Sequence, residues 1–334
     1  MSPLMIPLSL LDLAPICSDG SITQALDNSR RMAIVAEQHA YKRIWLAEHH
    51  GMLGVASSAT SLAISHIAAA TQHIRVGSGG IMLPNHSPLV IAEQFGTLEA
   101  LYPGRIDLGL GRAPGSDMAT ANALRRDMNA SVDDYPRNIR ELQTYLGPQQ
   151  AGQKIFAVPG QNSNVPLWLL GSSLYSAQLA ASMGLPYSFA SHFAPDQLHD
   201  AISVYRHHFQ ASAQCAKPFV SAGLMAVVAQ TDEQAQFLFS SVQQQFINLR
   251  RGVNQPFQAP IDSMNGLWSE PERVMINHTL QYALVGSQAT VKAKLANFVA
   301  ATKVDEVIVS MPIYDIDARL NSVALLAECM AQLN

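Results

Sequence analysis

Eight short apolar runs, each followed by a stretch with helical spacing, recur from one end of this 334-residue chain to the other. The runs span 6–14, 43–50, 74–83, 105–111, 166–171, 186–192, 218–229 and 305–313. Each is of strand length, and most are apolar on both faces, as in strands buried on both sides. Amphipathic helices are expected at 21–40, 58–71, 87–102, 133–147, 173–184, 195–210, 232–252, 287–302 and 315–330. Ser21 suits an N-cap, with Ala25, Met32, Ala33 and Ala36 recurring at helical spacing; Pro88 suits a first helical position and Gly147 a helix end. Strand then helix, repeated, means a parallel sheet covered by helices. Eight repeats over this length fit a closed (β/α)8 TIM barrel better than an open doubly wound sheet. No linker or low-complexity tract divides the chain, so 1–334 is expected to be one domain, with insertions near 148–164 and 253–286. The first holds a weak strand, "KIFAV". The second is long enough to serve as a mobile cover over the strand ends.

Charge narrows the partners. Only 14% of residues are charged, against about 25% in a typical soluble protein. Such a chain suits a large core and some surface covered by a second subunit. The helix around "SSATSLAISHIAAAT" has no charge from Ser57 to Gln72, so a homodimer through the helices after strands two and three is expected. Net charge is −4 and no basic run occurs, which argues against nucleic acid and anionic membrane as partners. No run approaches the roughly 18 apolar residues of a membrane span. The apolar N-terminus lacks a basic flank and is broken by Pro3, Pro7, Asp12 and Pro15, so it reads as a lead-in to a strand. Cys17, Cys215 and Cys329 form no C-x-x-C pair and read as free thiols in a reducing cytoplasm.

In such a barrel the chemistry sits at the carboxyl ends of the strands. The unusual residues fall there. Glu48, His49 and His50 end strand two; Gly77, Ser78, Gly79 and Gly80 come late in strand three; Gly111 and Arg112 end strand four. Gly171, Ser172 and Ser173 end strand five, and Ser191 and His192 end strand six. "GSGG" is either a flexible bend or a place where backbone approaches a flat ligand. "LGSS" is either ordinary helix capping or a phosphate cradle at a positive helix end. Arg112 either pairs with a carboxylate such as Asp107 or faces a ligand. "GLGRAPG" is a poor dinucleotide fingerprint, because its third glycine is late and Pro114 disrupts the helix. Phe189, His192 and Met225, with Tyr187, describe a mostly apolar substrate pocket with one polar rim. A metal-dependent hydrolase is the competing reading. It lacks an H-x-H on strand one and a carboxylate ending strand eight, and adjacent His49 and His50 point to opposite faces of a strand. No metal site is expected.

"WLAEHHG" (45–51), "RVGSGGIMLPNHSPLVIAEQFGTLEALYPGRIDLGLGRAPG" (75–115), "LLGSS" and "LVGSQATVKAKLANFVAATKVDEVIVS" (284–310) together resemble the bacterial-luciferase-like flavin monooxygenases, most closely their single-chain branch. The resemblance covers most of the chain. It implies the barrel fold, a dimer, reduced FMN as cofactor and dioxygen as co-substrate, acting on a small organic molecule such as an aldehyde. A separate flavin reductase would supply the reduced FMN. Residue by residue, the resemblance makes His49 catalytic. It sets Gly79 and Gly80 against the flavin ring, where the family often has a non-proline cis peptide. It places Gly111 and Arg112 beside the flavin, and Gly171, Ser172, Ser173 and Ser176 at the cofactor. Two positions depart from the luciferase α-subunit: Gly111 replaces a cysteine and Ser172 a glutamate. The long lid of true luciferases has no clear counterpart, so light emission is not expected. A flavin-storage protein and a deazaflavin-dependent oxidoreductase are the alternatives within the same resemblance.

Overall fold

The computed structural model describes residues 6–113, 118–124 and 134–333. Nine parallel strands form one sheet: β1 Leu8–Asp12, β2 Arg43–Leu46, β3 Arg75–Met82, β4 Ile106–Gly111, β5 Leu167–Gly171, β6 Tyr187–Phe189, β7 Val220–Ala229, β8 Leu284–Ser287 and β9 Glu306–Ser310. Strands β1 to β7 pair in order, and β9 closes the ring between β7 and β1. The result is a closed eight-stranded (β/α)8 barrel. β8 lies outside the ring, paired to the far half of the ten-residue β7.

Strand parity sorts the side chains into two cores. Leu10, Ile44, Val76, Leu108, Leu169 and Val309 face outward and join the helices in the main core. Leu11, Trp45, Trp168 and Ile308 face inward and fill the barrel. Trp45 and Trp168 meet edge to face, with ring centroids 5.1 Å apart. Beneath them, at the amino ends of the strands, the floor is ionic. Arg43 reaches Asp107 at 2.5 Å and Glu306 at 2.8 Å, and Arg75 reaches Asp107 at 2.6 Å. The Ser9 hydroxyl donates to Glu306 at 2.6 Å, and the Trp45 indole N–H to Asp107 at 3.2 Å. The network holds two positive and two negative groups and so balances.

The helices are α1 Ile22–Gln38, α2 Thr60–Ala69, α3 Pro88–Leu101, α4 Met118–Leu124, α5 Tyr135–Leu146, α6 Leu174–Met183, α7 Leu198–His208, α8 Asp232–Arg250, α9 Glu270–Thr279, α10 Gln288–Thr302 and α11 Ile316–Ala331. Ser21 caps α1 through a capping box with Gln24, and Pro88 stands at the first position of α3. No helix among the described residues is long and apolar enough to cross a membrane.

Both insertions differ from the sequence-based expectation. "KIFAV" forms no strand. Its continuation lies on α3 so closely that a Cβ on Gly96 would sit 2.2 Å from the Gly160 Cα. Residues 253–286 are not irregular throughout, since they contain α9 and β8. The part before α9 is tied down. The Phe257 N–H donates to Ile16 O at 2.8 Å, the Ser18 N–H to Phe257 O at 2.9 Å, and the Asn254 side chain to Gly51 O at 2.7 Å. Phe257 itself is buried among core side chains.

Candidate active site

β2 ends at Leu46, but the chain stays extended and pinned for three more residues. The Ala47 N–H donates to Asp12 O at 2.9 Å, and the His49 N–H to Ser57 O at 3.1 Å. The Ser57 hydroxyl donates to Ala47 O and the Ser58 hydroxyl to His49 O. Parity then sends the two halves of "EHH" apart. Trp45 and Ala47 face the barrel interior, and His49 continues that side. Glu48 and His50 take the other.

His49 has a buried Nδ1 with no hydrogen-bond partner among the described residues. Burial holds its imidazole below the ordinary histidine range, with Glu48 opposing that and His50 adding to it. His192 shares both traits. Its Nδ1 is buried and unpartnered, and burial, then the nearby His49, pull it down to about 4. It lies over the backbone of β7, where a Cβ on Gly223 would stand 2.3 Å from its Nδ1. Gly223 is thus the residue that lets this ring fit. Two imidazoles, each with a ring nitrogen unused by the described residues, therefore lie near one another at the carboxyl end of the barrel.

Glu48 anchors a separate group. Its side chain is 1% exposed, and His50 Nε2 and His86 Nε2 each lie 2.8 Å from its Oε1. The Met82 N–H donates to its Oε2 at 3.1 Å. Burial pushes the Glu48 carboxyl up, but His86, His50 and the Met82 N–H outweigh it and leave the group ionised. His86 was not among the sequence-based candidates. It sits in the turn after the glycine-rich strand, one residue before the cap of α3, and only that proximity to a strand end hinted at it.

The wall formed by β3 and β4 carries little side chain. A Cβ on Gly79 would meet Leu11 and Trp45 below 3.0 Å, and one on Gly80 would stand 2.7 Å from Gly109 O. The Gly79–Gly80 peptide is cis. Gly111 lies beside Met82 in the register, and its missing Cβ would stand 2.7 Å from the Met82 Sδ. Neighbouring protein atoms fill the space of each missing Cβ, so only glycine fits these three positions and the stretch carries no side chain of its own.

Arg112 follows directly and is exposed, with its guanidinium 4.5 Å from the centroid of the Tyr175 ring. It makes no ion pair among the described residues; Asp107, the carboxylate considered for it, is taken by Arg43 and Arg75. Tyr175 belongs to the first turn of α6, which follows Gly171 and Ser172. Ser173 and Ser176 form a capping box there, and the Ser176 hydroxyl donates to Ser173 O at 2.7 Å. Those two hydroxyls are committed to the helix end. The Leu174 N–H donates to the Gln197 side chain and the Ser176 N–H to the Ser173 hydroxyl; the Ser172 hydroxyl and the Tyr175 N–H make no hydrogen bond among the described residues, and they are what α6 offers a ligand. An unpaired guanidinium beside a positive helix end is a place for an anion. Tyr175 was missed because an aromatic residue in a first turn carries no sequence signal of its own.

The apolar pocket residues need one correction. Phe189 faces outward into the main core, together with Tyr187. The inward residue of β6 is Ser188, which accepts the Ser221 hydroxyl at 2.8 Å. A strand-end position alone does not fix a side chain's face; parity does. Met225 shares the face of Gly223 but is nearly buried, within the cluster that includes Phe257 and Met264.

The whole chain resembles proteins of one kind. The profile of the luciferase-like monooxygenases matches residues 8–306. A luciferase-like monooxygenase of Escherichia coli K12 is 48% identical over 333 residues, covering 100% of this chain and 99% of that protein. The crystal structure of apo-MsnO8 superposes with a TM-score of 0.87 at 33% identity, over 98% of this chain and 99% of the other. The oxygenating constituent of 3,6-diketocamphane monooxygenase from Pseudomonas putida, solved with FMN, shares the fold at a TM-score of 0.74 and 18% identity, over 97% of each chain. The agreement runs along nearly the whole chain and through the closed barrel. By sequence and by fold, the chain belongs to the luciferase-like monooxygenase family.

Proposed function

We propose that this monooxygenase binds FMN across the strand ends and uses the reduced flavin with dioxygen to oxidise a small, largely apolar organic substrate of the aldehyde type. The observation that carries the reading is the contiguity of three features. A glycine stretch without side chains at Gly79, Gly80 and Gly111 leads to Arg112, which makes no ion pair among the described residues and lies over the Tyr175 ring at the amino end of α6. That is an apolar slot for a ring followed by an anion site for a phosphate tail. FMN in the diketocamphane enzyme supports the choice, although the likeness there is one of fold.

Bound reduced flavin would supply the electrons and the reactivity toward dioxygen. The chain's own residues do the rest. Arg112, the Ser172 hydroxyl and the Tyr175 N–H at the amino end of α6 hold the phosphate. The glycine wall lets backbone line the ring. Trp45, Trp168 and Leu11 close the barrel beneath and keep water out. His49 holds or moves a proton at its ring nitrogens, and His192, neutral at pH 7, donates its one ring N–H to the substrate's carbonyl oxygen.

Anaerobic titration of the protein with reduced FMN, then air and a panel of aldehydes, sulfonates and ketones, tests the reading. No affinity for either redox state of FMN at high micromolar protein sinks it, and a preference for reduced deazaflavin replaces the cofactor. Arg112→Ala is expected to weaken FMN binding by about 1–3 kcal/mol, the worth of a charged hydrogen bond. Unchanged affinity returns Arg112 to a surface role.

A homodimer through α2 and α3 belongs to the same reading. Leu62 on α2, a helix with no Asp, Glu, Lys or Arg, is 72% exposed, and Leu101 at the end of α3 is 59% exposed. Sedimentation at micromolar protein should show a dimer, and a clean monomer contradicts it. A separate reductase supplying reduced FMN, in the cytoplasm where three unpaired thiols remain reduced, completes the setting.

A further inference from the structure

We propose that Glu48, His50 and His86 form a binding site for one divalent transition ion of the zinc type, set beside the cavity that His49 faces. Adjacent His49 and His50 point to opposite faces and cannot share an ion, but the turn after β3 carries His86 to the Glu48 side, where it joins His50.

One ligand atom from each residue lies within 4.8 Å of the others. Two of the separations, from each Nε2 to Glu48 Oε1, are 2.8 Å. Ligand atoms around tetrahedral zinc stand about 3.3 Å apart, given bonds of about 2.0–2.1 Å. An ion therefore fits by widening two contacts slightly and drawing the two imidazoles together, in the place that the imidazole protons now fill. Two nitrogens and one carboxylate select a transition ion over magnesium or calcium, which prefer all-oxygen sites. The surroundings suit it. Glu48 is closed off and oriented by the Met82 N–H, as a metal-binding carboxylate requires. His50 and His86 are 16% and 27% exposed, which leaves an entry path and room for a water ligand. The ligands at 48 and 50 flank His49, so an ion here grips the peptide that carries His49 from both sides.

The test needs no flavin, so its outcome is independent of the proposed activity. The full chain is stripped with a chelator, then titrated with cobalt(II), read by its visible d–d bands, and with zinc against a competing indicator. One ion per chain is expected. Glu48→Gln and His86→Ala should each weaken it by about tenfold or more, while His49→Ala keeps the stoichiometry. If Glu48→Gln does not fold, His86→Ala decides, because that ring is partly at the surface. No binding at micromolar protein overturns the proposal. So does an ion bound with unchanged affinity in folded His86→Ala, or one that leaves instead on changing the exposed pair His207 and His208.

Discussion

His49→Ala is expected to slow substrate oxidation by about 10²–10⁴-fold, the usual worth of a general acid–base residue, while FMN affinity stays nearly intact. The split follows from position. The anion site and the glycine wall belong to β3, β4 and α6, and none of their contacts passes through His49. What His49 contributes is a half-buried ring with one nitrogen unused by the protein. Stopped-flow oxidation of bound reduced flavin by dioxygen, with product formation measured alongside, reads the rate. A loss of FMN affinity as large as the loss of rate would make His49 a binding residue instead. His50→Ala should cost less, because its ring turns to Glu48 and away from the cavity.

Arg43→Met is expected to destabilise the fold by about 3–5 kcal/mol, the cost of stripping a buried ion pair of one partner. Arg43 is 7% exposed and lies between two carboxylates that are each 1% exposed. Asp107 would keep Arg75, but Glu306 would keep only the Ser9 hydroxyl. Burial already raises the Glu306 carboxyl, and Arg43 is the main influence opposing that rise. Without Arg43 its pKa climbs further above the unfolded value. The penalty is then largest above that raised pKa, where the carboxylate is charged, and shrinks as falling pH protonates it. Urea unfolding at pH 5 and pH 8 checks both size and sign. Equal losses at the two pH values would show that the missing guanidinium matters through packing on Trp168, 4.7 Å away, rather than through charge.

The barrel was legible because short runs, most of them apolar on both faces, alternate regularly with longer stretches of helical spacing. β8 was missed because four residues, "LVGS", make too short a run to stand out beside α10. α9 was missed because "EPERVMINHT" has only scattered apolar positions and packs lightly. At the site, positions along the chain located His49, Arg112 and the glycines at strand ends, whereas facing had to come from parity. Parity was readable at 45–50, where Trp45 and Ala47 precede His49. It was not readable at β6, where three residues give no alternation to count. Contacts between distant turns, such as His86 with Glu48, or Tyr175 with Arg112, leave no trace in a single sequence.

The ionic floor also has a bearing on synthesis. Its last member, Glu306, stands at the start of β9, the strand that fills the gap between β1 and β7. Chains emerge from the ribosome amino end first. Until that final strand arrives, β1 and β7 each present an unpaired edge, and Arg43 has one of its two counter-charges. Open edges recruit other chains. A product ending before Glu306 is thus expected to expose the margins of β1 and of the first half of β7, which the arrival of β9 covers.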